Sequence, residues 1–573
     1  MPRRRRGWQV ERLRAGAAWL AVWTLVVLAA TGCSGSGGHD DSPHRALPTY
    51  GTYDINALPS GDLRSGGTLT LPITQMITQF NFNHVDGALD DVWTVDTMTE
   101  PRLFTRDAEG VPRIVRDYLT SATVSTAGSR QVVTYRLNPK ARWSDGRALG
   151  WRDFAAQWHA VGGGDDRYLV ADPSGYDRIA DVRRGAGAHE VRVTFKKPYA
   201  DWRRLFTPLF PAVAYDSPRH FDSDWQGWLP VTAGPFQLAS VDRTAQTLTL
   251  VPDAAWWGTR PRLDRIVLRV LDPDAALQAF LNGEVDAVNA ATSEAYAQLA
   301  KAPDTAIRIG SAWDEVHITL NGAGGPLADR AVRGALQQAV DRPALAQVAA
   351  AGLPVKVPLL GNHFYMTNQP GYADDSGRYG RFDLKAAERA LDRAGWRSQG
   401  AGKPRTKDGR SLTLRLVLSE GTNRLGEDLA QLVQQMLARA GVRVDIEKVP
   451  ASAYGPQYLD KGNFDLAIFR FTGLTYPSSA HAIYRRPAGG QVFENYGRVG
   501  SAKVDRLLDQ AAGTLDERTA QRLYNEADTE IWRLGHDIEL YQRPQILAVR
   551  KGLANYGVPG LGDIDFTKVG WEK

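Results

Sequence analysis

The chain has 573 residues, 43% of them hydrophobic and 23% charged, which suits a soluble globular protein of two or three domains rather than a single core. The formal net charge of +5 resides in the first 32 residues, with six Arg and one Glu; from residue 33 onward the formal charge is zero, which excludes a phosphate-binding field and hence a nucleic-acid partner. A single cysteine excludes a disulfide framework.

Arg3 to Arg6, with Arg12 and Arg14, form a basic segment. Ala15 to Ala30 follow as an apolar run of 16 residues, short of the roughly 20 needed for a membrane span. Ala30-Thr31-Gly32-Cys33 resembles a bacterial lipobox, with Ala30 where Leu is usual, and Cys33 is the sole thiol. The expectation is a lipoprotein signal peptide over 1–32 and diacylated Cys33 as the mature N-terminus. Such a chain is lipid-anchored on the extracytoplasmic face of the cell membrane, since two or more acyl chains anchor stably. The alternative is an ordinary secretory peptide with an incidental Cys. Residues 33–62 have linker composition.

The folded part opens with an alternating strand from Gly66 to Pro72, followed by the polar loop Phe80-Asn81-Phe82-Asn83 and a helix through Trp93. Val132–Leu137 and Val191–Phe195 read as strands, and Trp151, Phe154 and Trp158 share one helical face. Ile266–Leu271 reads as a strand and Ala275–Asn282 as a helix closed by Gly283. Helices are expected over Asp329–Asp341 and after the cap Asp383. Leu412–Leu418, the amphipathic helix Leu425–Ala440 and Val442–Val449 form a βαβ unit, which implies a parallel strand pair. Two helices, near 503–512 and 515–534, and a strand over Ile538–Val549 close the fold.

Phe464–Pro477 is an apolar strand that breaks into a loop, and Arg470 interrupts it between Phe469 and Phe471. An arginine there needs a partner, because charged side chains are rarely buried unpaired. It is either in an intramolecular ion pair or in contact with a ligand. With no acid beside it in the sequence, a cleft-facing Arg470 favours an anionic or carboxylate-bearing solute.

No chemistry of catalysis stands out. The ten His are scattered with no metal-ligand spacing, and no P-loop, nucleophile elbow or dinucleotide turn is present. No metal, no cofactor and no enzyme activity are expected. Sixteen Trp and 20 Tyr suit the lining of a concave ligand site, although most aromatics are core.

Several segments, in order, resemble a known family. They are Tyr135–Phe154 (Tyr-Arg-Leu-Asn-Pro-Lys-Ala-Arg-Trp-Ser-Asp-Gly-Arg-Ala-Leu-Gly-Trp-Arg-Asp-Phe), Gly234-Pro-Phe, Trp257–Asp264, Leu281–Asp286, Val332–Arg342 and Tyr541–Pro544. From Gly66 to about Tyr556 the chain resembles the family 5 solute-binding proteins of oligopeptide, dipeptide and nickel importers. The resemblance implies an α/β fold of the bilobal periplasmic-binding-protein kind (type II, cluster C-like) with an extra inserted subdomain. Lobe I would comprise 63–98, 226–318 and 541–573, the inserted subdomain 99–225, and lobe II 319–540. It also implies a monomer that traps a peptide or other organic solute between the lobes for an ABC permease. Phe464–Pro477 then delivers Phe469, Arg470, Phe471 and Tyr476 to the cleft, with Phe80, Asn81 and Trp93 lining lobe I and Asn321 and Asn423 facing them. Peptide-binding members carry an Asp for the peptide's ammonium; here Leu474 or Thr475 stands in its place, and Phe471 replaces the preceding Trp. A second reading, by similarity to a mycobacterial relative, is a non-transport envelope lipoprotein acting in phosphatidylinositol mannoside or lipomannan assembly.

Overall fold

Thr68–Ile73 alternates as its sequence predicts, with Leu69, Leu71 and Ile73 turned inward. In the computed structural model, which describes residues 53–128, 130–472, 475–488 and 492–573, this strand pairs in parallel with Arg265–Val270. Antiparallel strands Thr247–Pro252 and Phe236–Asp242 complete a four-stranded sheet. A second four-stranded antiparallel sheet runs in the order Leu119–Ala127, Arg130–Leu137, Glu190–Phe195, Ile179–Arg184. The helix Trp151–Val161 covers it through the fully buried Phe154, while Trp151 and Trp158 are half-buried. The Asp153 carboxylate accepts from the Gly150 N–H at 2.9 Å and holds the first turn of that helix. Cys33 and the segments 1–32 and 33–52 lie outside the described residues, as does Leu474.

The largest sheet is mixed. Its order is Ala287–Asn289, Asp537–Arg550, Thr305–Leu320, Leu466–Phe471, Thr413–Ser419, Arg443–Val449. The expected βαβ unit is present: Thr413–Ser419 and Arg443–Val449 are parallel, and the helix Arg424–Arg439 links them. Leu429, Val433, Met436 and Leu437 are its buried stripe.

Thr305–Leu320 and Asp537–Arg550 are long antiparallel partners. Their register breaks between Ser311 and Glu315, leaving Ala312–Asp314 outside the ladder. One end of the pair contributes Val549 to a first apolar core with Leu69, Phe154 and Phe236. Ile318, Leu320, Ile538 and Leu540 at the other end, and Ile546 and Ala548 beside Val549, belong to a second core with Leu416 and Val433. Ala276, Phe280 and Leu299, from a stretch expected in lobe I, pack with the second core. Sequence patterning assigned no element to Thr305–Leu320. Val316, Ile318 and Leu320 alternate with Glu315, His317 and Thr319 at strand spacing, and the structure buries the polar set as well as the apolar one.

Candidate functional site

The register break places Trp313 and Asp314 at the crossing of the two cores, where a cavity of about 390 Å³ opens. Trp93, Arg102, Arg106, Trp313, Asp314 and Arg543 are among its walls. Arg106 ends the short strand Phe104–Arg106, which pairs with Pro112–Ile114. Its Nε donates to Asp563 Oδ1 at 3.0 Å, its guanidinium lies 5.3 Å from the Trp313 ring, and its Nη1 donates to Thr475 Oγ1 at 2.6 Å. Arg102 also bridges Asp563 and sits 5.2 Å from the Trp93 ring. Burial pushes the Asp563 carboxyl up, but the two guanidinium groups outweigh it and hold the acid well below the usual carboxylate range.

A second cluster of this composition stands nearby. Asp314 Oδ2 accepts from Arg470 at 2.7 Å and from Arg543 at 2.8 Å. The expectation that Arg470 has no acid beside it is therefore corrected. Val316 pairs with Arg470 across the antiparallel ladder, and this brings Asp314, two residues along, to the guanidinium. Four arginines against two aspartates leave a positive surplus around the crossing.

Thr475, half-buried, also lines a cavity of about 200 Å³. Gly110, Asp201 and Arg203 stand on one side of it, and Tyr365, Tyr476 and Tyr524 on the other. The two sides touch directly: Ser478 N–H donates to Asp201 Oδ2 at 2.9 Å, Tyr199 and Ser478 hydroxyls are 3.1 Å apart, and Ala200 N–H donates to Ala512 O at 2.7 Å. Burial raises the Asp201 carboxyl, although Ser478 and two arginines oppose the shift.

The sequence-predicted residues divide. Trp93 lines the larger cavity and Tyr476 the smaller. Arg470 is exposed and paired. Phe471 stacks on His317 at 4.9 Å between ring centres and lines a third, smaller cavity of about 20 Å³, while Phe469 meets His317 edge-on at 4.4 Å. Phe80 is fully buried in the first core. Buried Asn81 accepts from the Asn83 N–H at 3.1 Å. Asn321 donates to the carbonyls of Gly462 and Phe464 at 3.0 and 2.8 Å, tying a turn to the sheet. Asn423 caps the helix Arg424–Arg439, its Oδ1 accepting from Gly426 N–H at 3.0 Å. Arg102, Arg106, Trp313, Asp314, Arg543 and Asp563 were not singled out by sequence reasoning. Only the aromatic–charged run Ala312-Trp313-Asp314-Glu315 marks them in the chain.

Two apolar cores joined by a crossing strand pair, with polar aromatic cavities at the crossing, define a bilobal binding protein of the periplasmic type. The profile of "Bacterial extracellular solute-binding proteins, family 5 Middle" matches residues 113–489. "Oligopeptide-binding protein OppA" of Mycobacterium tuberculosis is 37% identical over 99% of this chain and 95% of that protein. The chain belongs to this family of extracellular solute-binding proteins. "Probable monoacyl phosphatidylinositol tetramannoside-binding protein LpqW" of the same species is 31% identical over 42% of this chain and 38% of its own length. Among solved structures, "Periplasmic EDTA-binding protein EppA" superposes with a TM-score of 0.82 at 26% identity, covering 91% of this chain and 98% of that one. Among the described residues, no helix is long and apolar enough to cross a membrane.

Proposed function

We propose that this solute-binding protein captures a carboxylate-bearing organic solute, a peptide foremost, in the cavities at the strand crossing and delivers it to an ABC permease. The carrying observation is a pair of Arg–Asp–Arg clusters: Arg102, Arg106, Asp563, Asp314 and Arg543 line one cavity, and exposed Arg470 joins Asp314 from outside its lining. Each aspartate orients two guanidinium groups and neutralises one, so fixed donors and a net positive field remain for a carboxylate. Trp93 and Trp313 supply flat apolar walls beside the charges. Near-complete coverage of an oligopeptide-binding relative supports peptide cargo, and the EDTA-binding neighbour supports polycarboxylate affinity. The similarity to the mannoside-binding relative covers under half of the chain and supports the envelope-assembly reading less well.

The protein acts, in this reading, as a monomer tethered to the extracytoplasmic face of the membrane through Cys33. Native mass spectrometry of the purified chain tests the cargo: a co-purified peptide or polycarboxylate, with affinity reduced at least tenfold in Arg106→Ala, is the expected result. A neutral cargo, or unchanged affinity in that variant, refutes the reading.

A further inference from the structure

Beneath Phe471 lies a buried polar cluster that the solute cavities do not use. His363, on the loop before Phe364, is held twice by Asp528 of the helix Glu517–Leu534: the backbone N–H donates to Oδ1 at 2.9 Å, and ring Nδ1 contacts the same oxygen. The other ring nitrogen, Nε2, faces two carboxylates of the strand Asp537–Arg550. It is 2.7 Å from Asp537 Oδ1 and 4.0 Å from Glu539 Oε1. His536 Nδ1 in turn meets Asp537 Oδ2 at 2.8 Å. Glu315 and His317, from Thr305–Leu320, close the cluster, with His317 Nδ1 3.0 Å from Glu315 Oε1. All seven side chains are buried.

Two further observations point to a ligand. Glu539 is 1% exposed, and neither its Oε2 nor Asp528 Oδ2 accepts from an N–H or hydroxyl donor among the described residues; the carboxyl groups of Glu315 and Asp375 are their neighbours. Glu539, His363 and Glu315, though not Asp537, also line a small cavity of about 20 Å³ beside the cluster, room for one water.

We infer that His363, Asp537 and Glu539 form a buried site for a first-row divalent cation of the zinc type. One donor atom from each of the three lies within 4.8 Å of the others. Tetrahedral zinc with arms of about 2.1 Å needs ligand atoms about 3.4 Å apart. The 2.7 Å contact must open and the 4.0 Å contact close, each by about 0.6 to 0.7 Å. The surrounding bonds suit this use. Asp528 accepts from Nδ1–H, so loss of the Nε2 proton now shared with Asp537 leaves that nitrogen's lone pair facing the ion, and His536 orients the Asp537 carboxylate, the outer partners that metal ligands require. One imidazole and two carboxylates, with space for a single water as fourth ligand, favour zinc over calcium, which takes six to eight oxygens. The ion pins the His363 loop to the strand that crosses between the two cores. Binding displaces protons from His363 and Glu539 to solvent.

The test uses the full chain passed over a chelating resin and titrated with Zn²⁺ against a zinc-responsive dye. The expected result is one zinc per chain with proton release, a higher Tm on loading, and affinity at least tenfold weaker in Glu539→Gln. X-ray data at the zinc edge then give an anomalous peak at bonding distance from His363 Nε2. Should Glu539→Gln fail to fold, that peak in the unmutated chain decides. The proposal is overturned by an absence of stoichiometric zinc, by undiminished binding in folded Glu539→Gln, or by a peak elsewhere, the solute cavities included.

Discussion

Asp314 and Arg470 meet at 2.7 Å across 156 residues of chain, and Arg543 shares the same carboxylate oxygen at 2.8 Å. The acid thus stitches the strand Leu466–Phe471 to both strands of the crossing. Arg470 is half exposed and Asp314 keeps Arg543 when Arg470 is removed. Arg470→Ala therefore changes unfolding stability by no more than about 1 kcal/mol. Its effect falls on solute affinity, expected to drop a few-fold and to become less salt-dependent. Calorimetry at two salt concentrations checks this, and unchanged affinity removes Arg470 from the site.

Asp563 is a different case, because its side chain and that of Arg102 are both buried. Asp563→Ala leaves a buried guanidinium without its counter-charge, and destabilisation of about 3–5 kcal/mol is expected. Asp563→Asn, which retains an acceptor, costs less. The folded-state acid is held below its ordinary value, so its share of stability is present above that value and is lost as pH falls through the folded one. Urea titrations of the three forms between pH 5 and pH 2 measure this.

His481 carries a second pH dependence. Burial foremost, then Arg485, Arg178 and Arg204, lower its pKa to about 3. Between pH 3 and 6.5 the unfolded chain binds a proton there that the folded chain does not. Stability therefore falls on acidification through that window, by at most about 1.4 kcal/mol per pH unit for this one group. The neighbouring Tyr524 hydroxyl is 3.2 Å from His481 Nε2 and loses only that bond in His481→Phe. The variant is expected to show a shallower decline between pH 6.5 and 5, and an unaltered slope in thermal melts contradicts the assignment.

Cys33→Ser tests the anchor. Cell fractionation is expected to move the protein from the membrane to the soluble extracytoplasmic fraction, because one removed lipidation site removes every acyl chain. Retention on the membrane after the change shows that something else holds it.

The helices and the βαβ unit were legible because their cores are apolar: Leu429 and Val433 repeat at helical spacing, and Leu69, Leu71 and Ile73 at strand spacing. Gly283, at positive φ just past a helix end, was readable as a stop. The arginine clusters were not legible. Arg106 and Asp563 are 457 residues apart, and each looks in the sequence like an ordinary surface charge. Asn423, expected to face the cleft, is a helix cap through its bond to Gly426.

By itself the sequence determined the bilobal α/β architecture, the order of most elements, the family and the apolar strand within Phe464–Pro477. Periodicity and punctuation are local properties, written wherever apolar faces repeat. The tertiary structure alone decided that Arg470 is paired with Asp314 and that His363 meets Asp537 and Glu539. Those outcomes depend on charges brought together over hundreds of residues and buried among one another, where burial hides polarity from any pattern of neighbours.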